Sequence, residues 1–158
     1  MGFLEWLEST EFAMWVAQSP SWFAYPFILT LHTVGLAMLV GASVFIDLRL
    51  LGVASAVPLE QLERLKSSIW IGFILNAVSG LIVLAAAAST LGTMKTFYLK
   101  LTFIVLALIL DTRLRRLIFS DPVAFGGSHP PGPARTLAVL SLLLWAGAIT
   151  AGRMMAYV

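Results

Sequence analysis

Cysteine is absent from the 158-residue chain, which excludes disulfides, thiolate-held iron–sulfur clusters and thiol catalysis. Charge is scarce. Asp, Glu, Lys and Arg make up 11% of the residues, against about 25% in a soluble domain, too few to coat a globular surface. Histidine occurs only at His32 and His129, so a zinc site of three or four ligands finds one well-placed donor, His32. Copper would need grouped methionines, yet Met38 stands alone and the adjacent Met154 and Met155 point apart on a helix. No Gly-rich phosphate loop is present, and no Ser–His–acid set can be assembled within the outer half of the predicted bundle. The N-terminal segment has no Lys or Arg before its apolar residues, and Glu interrupts them, so it does not read as a signal peptide.

What the chain does have is apolar length, with 59% hydrophobic residues. Four segments reach the roughly 20 helical residues that cross a hydrocarbon core. They run over about 22–48, 67–91, 96–117 and 135–157, the third carrying Lys100 and Asp111 near its ends. The expected fold is all-α, an integral membrane four-helix bundle forming a single domain over 1–158. Ahead of it, "GFLEWLESTEFAMWVAQSPSW" can place Leu4, Leu7, Phe12, Trp15 and Val16 on one side of a helix, with Glu5, Glu8 and Glu11 more polar. With Trp6, Trp15 and Trp22 suited to headgroups, this predicts an interfacial amphipathic helix over about 3–17. "VPLEQLERLKSS" (57–68) predicts a short amphipathic helix, and "SDPVAFGGSHPPGP" (120–133) a Pro/Gly-rich connector.

The basic residues give sidedness. Arg49, Arg64 and Lys66 lie in the first link, and Arg113, Arg115 and Arg116, with Arg135, in the third. The N-terminal segment has none and the second link only Lys95. The positive-inside rule then puts both basic links in the cytoplasm and both termini outside, in the periplasm of a bacterium whose inner membrane holds the chain. The basic clusters mark topology rather than nucleic acid, and the bilayer is the first partner.

Ionisable groups in lipid are expensive, about 2.5–3.5 kcal/mol for a central Arg, Lys or Asp, so each asks for a partner or a job. His32 lies roughly 15 Å past Trp22 at 1.5 Å per residue; Lys100 is about 6 Å past Thr96, and Arg153 about 8 Å short of Val158. All three fall in the outer half of the predicted bundle. One imidazole deeper than two cations suits haem b, with His32 on the iron, Lys100 on a propionate or as second ligand, and Arg153 on a propionate. Gly35 and Gly41, Gly72 and Gly80, and Gly147 and Gly152 could bare helix surface to a porphyrin edge, with Phe27, Phe73, Phe103 and Trp145 over its faces. The bland readings stand beside this one. His32 could hydrogen-bond a neighbouring helix, the glycines could serve close helix packing and Asn76 could be interhelical glue. Lys100 and Arg153 could snorkel to headgroups, while Asp47 with Arg49 and Asp111 with Arg115 could form boundary ion pairs.

Over "LHTVGLAMLVGASVFIDLRLLG" the chain resembles an uncharacterised family of small bacterial four-helix membrane proteins, whose first span has a His, a Gly three residues on, and a closing Asp-Leu-Arg-Leu-Leu-Gly. More distantly it is similar to the haem-binding bacterial membrane protoporphyrinogen oxidases and the copper-resistance D proteins. The oxidases pair a first-helix His with a Lys heading a later helix, a role the resemblance gives Lys100 in "LKLTFIVLALILD". Where they continue to Tyr-His, this chain has Leu110-Asp111.

The expected function is a haem b protein carrying electrons between quinol and a periplasmic or membrane redox partner, alone, as a homo-dimer or as a small subunit of a larger complex. His32 is its metal ligand. Lys100, Arg153, Gly35, Asn76 and Trp145 complete the expected cofactor site. The rivals are a cofactor-free structural or assembly subunit, in which His32 bonds Asn76 or a serine, and an oxidoreductase acting on a porphyrin or quinone.

Overall fold

In the computed structural model, residues 2–53, 56–120 and 132–157 are described. Among them every regular element is a helix. The N-terminal segment forms two helices where its sequence suggests one: α1 (Phe3–Glu8) and α2 (Glu11–Gln18). The break is a capping event. Thr10 adopts an extended backbone, and its hydroxyl accepts the Ala13 N–H at 3.4 Å, which starts a new helix rather than continuing the old one.

Helix α3 (Tyr25–Leu50) opens with Pro26 in its first turn, where a missing N–H costs nothing. It stops in a Schellman motif. Gly52 takes φ +92°, its N–H bonds Arg49 O at 3.1 Å, and the Val53 N–H bonds Leu48 O at 3.0 Å. Helix α4 (Leu59–Ala86) follows Pro58 and is 28 residues long. The segment expected to be a separate amphipathic helix is simply its polar first turns, because nothing between Ser67 and Ile69 breaks the helix. A short α5 (Ala88–Leu91) leads to α6 (Lys95–Ser120), and α7 (Gly132–Met154) closes the order. The expected connector over 120–133 lies almost wholly outside the described residues, as does His129.

Among the described residues, three helices are long and apolar enough to cross a membrane: α3, α4 over Gln61–Ala86, and α7. Helix α6 matches α3 at 26 residues but carries Lys95, Lys100, Asp111, Arg113, Arg115 and Arg116. Its charge, not its length, separates it from the others. Large apolar side chains such as Ile74, Leu81, Val105 and Leu143 stand more than half exposed, an arrangement that water disfavours and hydrocarbon accepts.

The chain divides into two units, Met1–Leu39 with Ser67–Lys95, and Val40–Lys66 with Thr96–Val158. In the first, Val16 of α2 packs with Ile28 of α3 and Ala86 of α4, flanked by Ile82 and Val83. Phe12, Trp15 and Trp6 are exposed, while Ala13 and Val16 form the face buried within the unit. Helix α1 lies on α5, with Leu4 against Gly92. The Ser89 N–H donates to Glu8 Oε2 at 2.9 Å. Hydrogen bonding from Ser89, its side chain first and its backbone second, holds the Glu8 carboxyl below its ordinary range. In the second unit, α3 past Val40, the first turns of α4, α6 from Thr96 and α7 bury Ile46, Leu50, Leu62, Leu114, Ala138 and Trp145.

Candidate functional site

Close approach of two helices builds the site around His32. A Cβ placed on Gly35 would lie 2.6 Å from Asn76 N and 3.0 Å from Gly72 O; one on Gly72 would lie 2.6 Å from Leu39 N and 2.9 Å from Gly35 O. These contacts are with backbone, so any side chain would push α3 and α4 apart. The pair meets as small-residue membrane helices do. Gly35 is therefore filled by the α4 backbone, and a porphyrin edge has no approach there. The packing reading of this glycine holds.

That contact brings His32 onto α4. Its Nδ1 is 3.1 Å from Asn76 O and 3.1 Å from Ser79 Oγ. A carbonyl oxygen can only accept, so Nδ1 carries the hydrogen and, in the neutral ring, Nε2 keeps the lone pair. Asn76 answers across the helices: its Nδ2 donates to the His32 carbonyl at 2.9 Å and stands 3.4 Å from Nε2. Ser79 Oγ donates to Leu75 O at 2.6 Å, and a Cβ on Gly80 would sit 3.1 Å from the His32 Cε1. Asn76 is thus the interhelical link expected of it. Side-chain, backbone and hydroxyl groups form one satisfied polar knot within apolar helices.

Lys100, Arg153 and Trp145 belong to the other unit. A Cβ on Gly152 would touch Lys100 Cδ and Cε at 3.5 Å, so the Lys100 stem runs beside the turn that bears Arg153. The Arg153 guanidinium sits over the Tyr157 ring, 5.8 Å from its centre. The two cations are brought to one end of α6 and α7, as their depths in the sequence imply. Trp145 is 1% exposed, and its Nε1 makes no hydrogen bond. Phe103 packs on Gly147, 3.0 Å from a Cβ there. The porphyrin-covering role expected of Phe103 is taken by helix packing.

A second polar cluster escapes a reading by charge pairs. Asp111 and Arg115 form the expected i,i+4 ion pair. Asp47 does not pair with Arg49, whose Nε instead donates to Val57 O at 2.6 Å. Turned inward, Asp47 is 2% exposed, with Ser43 one turn before it on α3 and Ser141 facing it from α7. The signal was present as three i,i+4 polar pairs, Ser43–Asp47, Asp111–Arg115 and Ser141–Trp145, each stacking on one face of an apolar helix. Among the described residues, no three His, Cys, Asp or Glu side chains gather as a metal site would require.

Helices of membrane-spanning length and composition, with polar knots buried between them, define an all-helical protein built for a bilayer. The chain belongs to a family described as "Family of unknown function (DUF6644)", whose model matches residues 3–158. No curated protein and no solved structure matches it.

Proposed function

We propose that the chain is a four-span protein of the bacterial inner membrane that binds haem b through His32 and passes electrons between quinol and a periplasmic or membrane partner. The observation that carries this reading is the bonding of His32 Nδ1 to the Asn76 carbonyl and the Ser79 hydroxyl. A ligating histidine commonly donates its other ring N–H to a carbonyl, which fixes the tautomer and raises the basicity of the ligating nitrogen. In that tautomer Nε2, with the Asn76 amide nitrogen at 3.4 Å, would be the nitrogen that turns to iron. His32 would hold the haem iron, and the haem would supply one-electron chemistry when bound. The chain's own part is to orient the imidazole through α4 and keep it in an apolar bundle that raises the cost of net charge. The sequence assigns propionate pairing to Lys100 and Arg153, and α6 counts as the fourth span because its charges gather toward its ends. With the basic links inside, both termini face the periplasm.

A second reading rests on its own observation. Asn76 Nδ2 bonds the His32 carbonyl, and Gly35 and Gly72 meet backbone to backbone. A cofactor-free structural or assembly subunit would need just this lock.

The reduced-minus-oxidised absorption spectrum separates the two. The protein, purified in mild detergent from haem-replete cells, is compared with His32→Ala. A Soret band and a sharp α-band, lost in the variant, are expected. A colourless wild type with full helical circular dichroism refutes the haem reading and leaves the lock.

A further inference from the structure

The haem reading makes no use of the buried polar cluster in the unit of Val40–Lys66 and Thr96–Val158. Three helices contribute to it: Ser43 and Asp47 from α3, Asp111 and Arg115 from α6, and Ser141 and Trp145 from α7. Asp47, Asp111, Ser43 and Ser141 are all at most 3% exposed. The two carboxyls lie within electrostatic reach of each other, and Ser141 faces Asp47. Asp111 has a cation, because Arg115 bonds it directly. Asp47 has none. Its Oδ2 is buried without a hydrogen bond, and so is Ser43 Oγ.

Charge counting then decides the state of the site. Two ionised carboxylates against one guanidinium would leave a net negative charge in a low-dielectric interior, where an unpaired ion is not tolerated. Other charged groups of the described part of this unit do not supply the missing cation. Arg49 is engaged with the Val57 carbonyl, Glu63, Arg64, Lys66, Arg113, Arg116 and Arg135 are exposed, Lys100 lies roughly 16 Å from Asp111 along α6, and Arg153 sits over the Tyr157 ring. Paired carboxyls resolve such a conflict by keeping one proton between them. A neutral Asp47 can both accept from a serine hydroxyl and donate to a serine oxygen, whereas a carboxylate only accepts.

We infer that Asp47 and Asp111, with Arg115, Ser43 and Ser141, form a buried proton-binding site in which Asp111 is ionised against Arg115 and Asp47 carries one exchangeable proton. Asp47 lies three residues before Leu50, about one helical turn or 4.5 Å from the end of α3. Water at that end is therefore the source of the proton. Intramembrane carboxyls that face a helix interface commonly serve as relay sites of this kind. The site stands independently of haem.

Infrared spectroscopy of the full-length protein in lipid nanodiscs tests it. A carboxylic-acid C=O band at neutral pH, shifted in D2O and missing in Asp47→Asn, is expected. Asn is isosteric with the neutral acid, so the variant should fold, and its circular dichroism checks that it does. A second readout is thermal stability. The wild type should lose stability as pH rises and strips the proton, whereas Asp47→Asn should be flat over the same range. Three results overturn the inference: no acid band at neutral pH, a band that persists in Asp47→Asn, or a band abolished by sodium but not by choline at constant pH. The last would replace the proton with a metal cation.

Discussion

Gly35→Ala probes the contact on which the His32 site depends. The new methyl would meet Asn76 N at 2.6 Å, with Asn76 Cα and Gly72 O both at 3.0 Å, well inside van der Waals contact. All three are backbone atoms of α4, so no side chain can swing aside and the helices must separate. Overpacking of this kind sits at the upper end of the roughly 1–3 kcal/mol range. Separation also stretches the Asn76–His32 carbonyl bond, and such interhelical bonds average about 0.6 kcal/mol in membranes. Ala is the better helix former by about 1 kcal/mol, which offsets part of the loss. The net destabilisation is about 2–3 kcal/mol, a fall in Tm of roughly 4–12 °C for a chain of this size. The assay is thermal unfolding in detergent followed by circular dichroism, with Gly41→Ala alongside. Gly41 has nothing within 4 Å of an added Cβ, so its variant should match or exceed the wild type. Equal stability of Gly35→Ala and Gly41→Ala would refute the argument that backbone contact fixes this crossing.

Two further expectations follow from the same geometry. In Gly147→Ala the methyl meets only the edge of the Phe103 ring, at 3.0 to 3.3 Å, and a ring can tilt. The propensity gain should nearly cancel the strain, leaving stability within about 1 kcal/mol of wild type; a loss as large as that of Gly35→Ala would contradict this. Docking of α1 should depend on pH through Glu8. Its folded carboxyl titrates below its ordinary 4.5, so the contribution is complete above that value and fades as pH falls through the lower folded one. Trp6 fluorescence should report α1 loosening on acidification in the wild type. In Glu8→Gln it should be loosened already at neutral pH, and an identical acid response in the two proteins would rule Glu8 out.

The long helices were legible because apolar runs of this length have few alternatives. Expected and observed ends of α3, α6 and α7 agree to within about three residues, the ordinary scatter of helix ends. The start of α4 was missed, since its amphipathic first turns read as a separate surface helix and no Gly or Pro follows to end it. The split between α1 and α2 could have been read from Thr10, an N-cap residue ahead of Glu11. His32 and Asn76 were each visible as polar residues in lipid. Their meeting was not, because it depends on the register of α3 against α4, which Gly35 and Gly72 set. Asp47 was misassigned for a related reason. Arg49 is near in sequence, but two residues along a helix turn a side chain to a different face, and only packing shows that Asp47 faces Ser141.

The unit formed by Met1–Leu39 and Ser67–Lys95 contains the Gly35–Gly72 contact, the His32–Asn76 bonds and the docking of both N-terminal helices. All of its parts have been synthesised once Lys95 has left the ribosome. Residues 40–66 emerge earlier but belong with α6 and α7, which come last. During biosynthesis the hairpin of α3 and α4 can therefore lock at one end while Ser43 and Asp47, at the other, still await Asp111, Arg115 and Ser141. Packing of α6 and α7 is then the step that removes a carboxyl group from water.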